Sequence, residues 1–193
     1  YQRGAAFVQI PTTLLAAVDS SVGGKTAVDL PTGKNQAGCF YQPCAVLCDP
    51  DTLKTLPAAE FANGCAEIVK YGVLGDAALF ASLERGGVAS QVERVIARCV
   101  EMKRDIVEED EFDTGRRMLL NLGHSVGHAI EKCSGFAVPH GSAVAVGMVV
   151  IMRAAVKRGI CPAAAAERTE RLLAQLGLPT LTAYPADELS RAM

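Results

Sequence analysis

Four polar side chains in the segment RRMLLNLGHSVGHAIE are spaced as if they shared one face of a helix. Arg117, Asn121, His124 and His128 follow one another at intervals of four, three and four residues. At about 100° per residue they fall within an arc of roughly 60°, and the other side of the predicted helix carries Leu119, Leu122, Val126, Ala129 and Ile130. A solvated polar face is the ordinary interpretation, but such faces usually carry Lys, Glu and Gln. Because this one holds two of the chain's three histidines, we predict a candidate site there.

A second pair of chemically active side chains lies in the segment GCAEIVKYG. The surrounding residues are apolar nearly all round, which predicts a buried helix, yet Glu67 and Lys70 stand one turn apart on it. A local ion pair that contributes about 0.2–0.5 kcal/mol is one interpretation. A binding role is the other, because a buried carboxylate and ammonium are costly unless they are paired or bound to a metal.

His140 completes a set of possible metal ligands. It follows Pro139 and precedes a very apolar helix predicted to begin near Ser142, so alone it is typical of a helix start. Together with Glu67 and His124 it provides one carboxylate and two imidazoles. Three nitrogen and oxygen ligands that leave coordination positions open are the pattern of catalytic zinc. The spacing itself matches no short metal motif such as HExxH.

The glycine-rich segment SSVGGKTAVDLPTGKN ends like a phosphate-binding P-loop but lacks the first glycine of that motif. The position that requires this glycine is Asp19, and no helix pattern follows Lys25. Two Gly-Lys turns remain, in which Lys25, Lys34 and Asn35 offer donors to a phosphate or to the edge of a dinucleotide. A solvated hairpin with lysines at its tips explains this segment equally well.

Composition narrows the class of protein. The chain has 193 residues, half of them hydrophobic, and a formal net charge of −2, which suits one substantial domain with its own core. This charge balance gives no indication of a nucleic-acid or membrane partner. The sequence has no apolar run of about 18 residues and no signal-peptide pattern at its start. Seven cysteines without a CxxC pair predict reduced, mostly buried thiols in a cytoplasmic protein, with metal binding by Cys44 and Cys48 as a minor alternative.

The order of predicted elements indicates an α/β remnant followed by an all-α domain. Before residue 50, AAFVQIPTT and CAVLCDP are predicted buried strands, and the segment between them is predicted to be an extended loop or hairpin. After Pro57, six predicted helices are separated by glycine or proline. We therefore predict domains at residues 1–56 and 57–193. Because two or three strands cannot form a self-sufficient sheet and the chain stops within a predicted helix, we expect a fragment of a longer protein.

With these residues assembled, the sequence resembles the 3-dehydroquinate synthase family over essentially its whole length. The stretches that carry the resemblance follow the family's order and intervals; they are IPTTLLAAVDSSVGGKTAVDLPTGKN, FANGCAEIVKYG, RRMLLNLGHSVGHAIE and PHGSAVAVGM. The resemblance implies that the C-terminal strands of an NAD-binding α/β domain precede a helical metal-binding domain. It also implies that the family's glycine-rich dinucleotide turn lies before Tyr1 and that a family lysine for the substrate carboxylate lies after Met193.

The same resemblance implies a role for each candidate residue. Zinc, or cobalt, would be held by Glu67, His124 and His140. The substrate would be held at its phosphate by Lys25, Asn35, Asn121 and His128, at its carboxylate by Arg117, and at its ring and hydroxyls by Asp19, Lys70 and Lys103. NAD would be lined by Thr12, Thr13, Lys25, Lys34, Thr52, Leu53, Lys54 and Thr55. Arg3 would reach the phosphate bound in a neighbouring subunit, which implies a homodimer.

The implied activity converts 3-deoxy-D-arabino-heptulosonate 7-phosphate to 3-dehydroquinate and phosphate. It proceeds by NAD-assisted oxidation, phosphate elimination, reduction and aldol cyclisation, so a metal, a nicotinamide and cations for two acidic groups must meet in one pocket. Two alternatives stay open. Another sugar phosphate cyclase of secondary metabolism would keep the metal ligands but change substrate-facing residues, and an inert fragment would bind metal without catalysis. A metal-dependent polyol dehydrogenase is disfavoured because it has no use for phosphate-binding lysines.

Overall fold

The computed structural model describes residues 4–30 and 33–193, so the predicted site residue Arg3 lies outside the described residues. The strands of the described chain are β1 (Val8–Gln9), β2 (Lys25–Leu30), β3 (Gly33–Phe40) and β4 (Ala45–Val46). Strand β1 pairs in parallel with β4, and β2 pairs antiparallel with β3. The hairpin predicted between the two outer strands is therefore present.

The outer strands are shorter and more exposed than predicted. Strands β1 and β4 have two residues each, and Val8 is 51% exposed while Leu47, just after β4, is 58% exposed. The prediction of buried strands was wrong because, among the described residues, this sheet contains only its two short strands, which leave Val8 and Leu47 largely exposed and Val46 only partly buried. The buried apolar side chains of this region lie instead in the segment that follows β1, where Leu14 and Val18 are fully buried.

Seven α-helices follow in the described residues, in agreement with the predicted fold class of an α/β part followed by a helical part. They are α1 (Ala58–Gly75), α2 (Ala77–Gly86), α3 (Val92–Glu109), α4 (His124–Cys133), α5 (His140–Lys157), α6 (Ala163–Gln175) and α7 (Ala186–Ala192). Shorter helical turns are a π-helical turn at Ala16–Ser20 and 3₁₀ turns at Pro50–Thr55, Ala89–Gln91 and Arg116–Asn121.

The main core forms where α1 and α5 pack against each other beneath α2, α3 and α6. Residues 63–72 of α1 are all buried, which agrees with its apolar sequence. A smaller cluster joins α4, α5 and α7. Helix α5 is long and apolar enough to cross a membrane by length and composition, but half of its 18 residues are buried inside the protein. A core helix passes the same test, so this feature is weak evidence for a membrane span.

The single helix predicted through Arg117 and His128 is in fact two elements. A 3₁₀ turn ends at Asn121, Gly123 adopts the left-handed conformation with φ of 81°, and α4 begins at His124. The break packs closely on α5, since a Cβ added to Gly147 would collide with the carbonyl oxygen of Gly123. A glycine at each position allows this approach. The predicted apolar face is also wrong at Leu119, which lies in the 3₁₀ turn and is 55% exposed.

The prediction that most cysteines are buried was wrong. All seven are free thiols, but Cys65 and Cys99 alone are buried, whereas Cys39 and Cys44 are exposed. The two buried thiols lie on α1 and α3, which contribute to the main core. Of the two exposed thiols, Cys39 lies in strand β3 of the hairpin and Cys44 immediately precedes β4.

Candidate metal and substrate pocket

A pocket of about 600 Å³ lies between the β2–β3 hairpin and the helical part. Helices α1, α3, α4 and α5 and the 3₁₀ turn before α4 all contribute side chains to it. The structure brings together in its lining ten of the predicted site residues, namely Asp19, Lys25, Asn35, Lys70, Lys103, Arg117, Asn121, His124, His128 and His140. Four of these ten are lysine or arginine and one is aspartate, so the pocket suits an anionic small molecule.

The three predicted metal ligands converge at the base of this pocket. Their ligand atoms lie within 4.8 Å of one another. Glu67 Oε1 is 3.6 Å from His124 Nε2 and 3.5 Å from His140 Nε2. This oxygen is buried and accepts no hydrogen bond within the described part of the chain, while the other carboxylate oxygen contacts the Lys70 ammonium. Burial raises the pKa of Glu67, but Lys70 and the imidazoles outweigh burial and lower it to about 2.

Local backbone structure orients the first imidazole. His124 is the first residue of α4, and its Nδ1 lies 3.2 Å from the carbonyl oxygen of Leu122. A carbonyl can only accept, so Nδ1 carries the proton and Nε2 presents its lone pair to Glu67. Burial lowers the pKa of His124 to about 4. A neutral imidazole with a free Nε2 is the form that binds a divalent metal.

The second imidazole is held by a residue that the sequence analysis did not single out. His140 is the first residue of α5, and its Nδ1 lies 3.3 Å from Oε1 of Glu131. The same oxygen accepts a hydrogen bond from Lys34 Nζ at 2.9 Å. Burial lowers the pKa of His140, but Glu131 and Glu67 outweigh burial and raise it to about 9. Glu131 is the last residue of the segment RRMLLNLGHSVGHAIE. Its position seven residues after His124, on the same predicted helix, was the signal from which its proximity to the site could have been predicted.

Asp19 is the centre of a second buried network. It accepts a hydrogen bond from the Tyr71 hydroxyl at 2.7 Å and forms ion pairs with Lys103 at 3.0 Å and with Lys70 at 3.9 Å. Burial raises the pKa of Asp19, but the two lysines and the Tyr71 hydroxyl outweigh burial and bring it far below its usual value. Burial lowers the pKa of Lys103. Tyr71 was also missed, although it follows Lys70 directly in the KYG motif.

Arg117 is fully buried, and its guanidinium is partly occupied by the protein itself. It donates hydrogen bonds to the carbonyl oxygens of Glu111 at 2.5 Å and Gly23 at 2.6 Å. Its backbone N–H donates to Asp110, which fixes the start of the 3₁₀ turn. Because a guanidinium has five donors, it still has hydrogen atoms for a ligand in the pocket. The predicted contact with a substrate carboxylate stays a prediction.

The predicted phosphate-binding residues lie nearer the pocket mouth. The Lys25 ammonium is 2.5 Å from a carboxylate oxygen of Asp113. Asn35 lines the pocket from the hairpin, and Asn121 and His128 line it from the helical side. His128 is exposed, and its ring centre is 5.5 Å from that of His124. Their role towards a phosphate stays a prediction.

Apart from Lys25, the residues predicted to line NAD do not line this pocket. Thr13 accepts a hydrogen bond from the backbone N–H of Ala16 at 3.2 Å, and Leu53 belongs to the main core. The others lie at the surface or pair with neighbouring groups; they are Thr12, Lys34, Thr52, Lys54 and Thr55. The described chain therefore supplies these side chains from several separate places, and their contact with a dinucleotide stays a prediction.

Comparison with solved structures defines the class of protein first. The chain superimposes on a 2-epi-5-epi-valiolone synthase from Streptomyces hygroscopicus, solved with NAD⁺ and Zn²⁺, with a TM-score of 0.92 and 31% identity, covering 100% of this chain and 56% of that one. A 2-deoxy-scyllo-inosose synthase, solved with carbaglucose-6-phosphate, NAD⁺ and Co²⁺, gives a TM-score of 0.85 and 28% identity over 100% of this chain and 55% of that one. The fold is that of the sugar phosphate cyclases.

Sequence comparison then identifies the family. Residues 1–63 match the family described as 3-dehydroquinate synthase N-terminal, and residues 64–193 match the one described as 3-dehydroquinate synthase C-terminal. The 3-dehydroquinate synthase of Caulobacter vibrioides is 54% identical over 95% of this chain and 52% of its own length. That of Pelobacter propionicus is 50% identical over 94% of this chain and 52% of its own length. The chain belongs to the 3-dehydroquinate synthase family and spans about half the length of these relatives.

Proposed function

We propose that this chain carries the metal- and substrate-binding part of a 3-dehydroquinate synthase. The observation that carries the proposal is the buried Glu67 oxygen that accepts no hydrogen bond from any described residue and faces two imidazole nitrogens. A buried carboxylate oxygen without a partner is costly, and a divalent cation between Glu67, His124 and His140 would remove that cost. The adjoining cationic pocket supports a substrate with a phosphate and a carboxylate, 3-deoxy-D-arabino-heptulosonate 7-phosphate.

Zn²⁺ or Co²⁺ and NAD are the proposed cofactors. The bound metal would supply Lewis acidity to a substrate hydroxyl, and NAD would supply a temporary acceptor for hydride. Glu67, His124 and His140 fit a metal because they are one buried carboxylate and two imidazoles with facing ligand atoms. The NAD-lining role of Thr12, Thr13, Lys34 and residues 52–55 rests on family membership, since these side chains do not enclose one space in the described chain.

The chain's own residues would bind and orient the substrate around that centre. Lys25 would hold the phosphate after releasing Asp113, with Asn35, Asn121 and His128 as further donors. Arg117, fixed by two backbone carbonyls, would bind the carboxylate with its remaining N–H groups. On the inner side of the pocket, Asp19, Lys70 and Lys103 would hydrogen-bond the substrate hydroxyls. Their mutual ion pairs hold these three groups in place before substrate arrives.

Sequence identity favours this activity over that of another sugar phosphate cyclase. The chain is 50–54% identical to the 3-dehydroquinate synthases named above but 28–31% identical to the valiolone and inosose synthases. Those related cyclases are named for different products, so the higher identity to the 3-dehydroquinate synthases favours the substrate of that family. The phosphate would be eliminated, and the product would enter the shikimate pathway of aromatic amino acid biosynthesis.

Assembly and location form the remaining part of the proposal. We infer a homodimer in which Arg3 of each subunit approaches its neighbour's phosphate site, and a cytoplasmic enzyme that does not bind nucleic acid or membrane. We also infer a division of labour at residue 57, with the strand-containing part on the NAD side and the helices on the metal side. Pro57 immediately precedes α1, the helix that carries Glu67.

A chimaeric enzyme tests the proposed activity. This chain would replace the matching half of the Caulobacter vibrioides relative, and phosphate release from the heptulosonate phosphate would be measured with NAD and Zn²⁺. We expect turnover within about tenfold of the parent enzyme, and none in the same chimaera carrying His124→Ala. A chimaera that folds and binds zinc but releases no phosphate would contradict the proposed substrate.

A further inference from the structure

Glu131 is a buried charge that the proposed mechanism does not use. Its side chain is 3% exposed, although it lies on α4 among residues such as Lys132 and His128 that reach the surface. Burying a carboxylate is costly unless it is paired. Two of its partners among the described residues lie far away in the sequence or on another helix. They are Lys34 of the hairpin and His140 of α5.

The two nitrogens of His140 face two different carboxylates. Nε2 is 3.5 Å from Glu67 in the proposed metal site, and Nδ1 is 3.3 Å from Glu131 on the opposite side of the ring. A proton on Nδ1 that is donated to Glu131 leaves the lone pair of Nε2 directed at the metal position. Metal-binding histidines commonly donate their second N–H to a carboxylate, which fixes the tautomer and the ring orientation.

Lys34 forms an ion pair with Glu131, the carboxylate that contacts His140. Its ammonium donates to the same Glu131 oxygen at 2.9 Å and lies 4.8 Å from the centre of the Phe136 ring. The lysine side chain is 37% exposed. It therefore offsets the charge of Glu131 and ties the hairpin to α4.

We propose that Glu131 is a positioning residue that fixes His140 for metal binding and is itself anchored by Lys34. This inference rests on the proposed function, because it takes His140 to be a metal ligand. The structure also contains a competing arrangement, since His128, Glu131 and His140 have ligand atoms within 4.8 Å of one another. In that arrangement Glu131 would bind a metal directly.

Cobalt titration of the whole chain separates these roles. Co²⁺ affinity would be measured by competition with a chelator, and the visible spectrum of bound Co²⁺ would report its coordination. We expect Glu131→Ala to weaken Co²⁺ binding by about 10- to 100-fold with one ion per chain retained, and to alter the spectrum. Glu131→Gln should lose less, because the amide oxygen still accepts the Nδ1 hydrogen bond. The matched controls are Glu93→Ala and Glu93→Gln on the exposed surface of α3, which should bind Co²⁺ as the unsubstituted chain does.

Three results would overturn the inference. Glu131→Ala could bind Co²⁺ as tightly as Glu93→Ala, which would leave Glu131 with a structural role only. The unsubstituted chain could bind two ions, of which Glu131→Ala loses one, which would make Glu131 a ligand. If Glu131→Ala does not fold by circular dichroism, Glu131→Gln decides, and affinity equal to that of Glu93→Gln would refute the role. Failure of the proposed metal site is separate, because His124→Ala would then bind Co²⁺ normally.

Discussion

Helix α1 and the β2–β3 hairpin both supply cations to the pocket, but they hold them in opposite ways. The Lys70 side chain on α1 is 1% exposed and lies between two carboxylates. The hairpin lysine that lines the pocket, Lys25, is 49% exposed and pairs with Asp113 of the helical part. Exposed pairs contribute about 0–1 kcal/mol, whereas breaking a buried pair is far more costly. The cation on the metal side of the pocket is therefore fixed in the core. The cation on the hairpin side is paired weakly enough to exchange its carboxylate partner for a ligand.

The largest expected effect separates two histidines one turn apart on α4. His124→Ala should abolish metal binding, because it removes a ligand that faces Glu67. His128→Ala should keep about one metal per chain and lower turnover in the chimaera, because its proposed role concerns phosphate. Metal content after dialysis measures the difference, and equal loss in both variants would refute the separation of roles.

The next effect compares a buried lysine with an exposed one. Lys70→Met should lower the free energy of unfolding by about 3–5 kcal/mol, because it leaves the charge of Glu67 uncompensated in the core. Lys25→Met should change it by less than about 1 kcal/mol, because its pair with Asp113 is half exposed. Urea unfolding without metal measures both. Zn²⁺ should stabilise both variants by binding the folded state, and Lys70→Met the more because the metal also compensates the charge of Glu67. Similar losses in the two variants without metal would contradict the comparison.

Thiol labelling compares the solvent accessibility of the helical core with that of the strand-containing part. Burial raises the pKa of Cys65 from 9.0 to about 12, which reduces its thiolate at pH 8 by about a thousandfold. Burial also raises the pKa of Cys99. We expect iodoacetamide to modify Cys39 and Cys44 first and to reach Cys65 and Cys99 only in urea, as followed by peptide mass spectrometry. Early labelling of Cys65 would show that the helical core opens readily.

The smallest effect tests the Asp19 network. Tyr71→Phe removes a hydrogen bond to a buried carboxylate and should cost about 1–3 kcal/mol at pH 7. The pKa of Asp19 is depressed below 3.8 in the folded state, so its contribution is fully present above that pH and is lost as the pH falls below it. Because the unfolded-state titration is common to both proteins and the two lysines still depress the pKa of Asp19 in the variant, the difference should be constant from pH 7 to about 4 and shrink only at lower pH, where Asp19 of the folded variant begins to be protonated. A difference that grows in acid would contradict this assignment of charge.

The helices could be predicted from the sequence, but the break within one of them could not. Apolar periodicity and the glycine and proline boundaries indicated α1, α3 and α5 near their observed limits. The same periodicity runs through Leu122 and Gly123, where the chain bends because Gly147 on α5 allows a close backbone approach. That contact joins residues on two elements, so no local pattern contains it. The pocket still receives Arg117 and His128, because the two shorter elements point these side chains to the same space.

Residue types indicated the proposed ligands and cations but not the groups that hold them. Glu67, His124 and His140 were singled out because buried acids and clustered histidines are unusual. Glu131 and Tyr71 resemble ordinary residues of amphipathic helices, and their partners become visible only when the hairpin and α5 are in place. The predicted burial of β1 failed for a related reason, since it depends on what covers the strand.

The proposed metal site can be tested by anomalous diffraction from crystals of the chain grown with Zn²⁺. We expect one strong zinc peak per chain, bound by Glu67 and by Nε2 of His124 and His140, with nitrogen distances of about 2.0–2.1 Å. A zinc peak bound by His128, Glu131 and His140 instead, or no peak near Glu67, would contradict it.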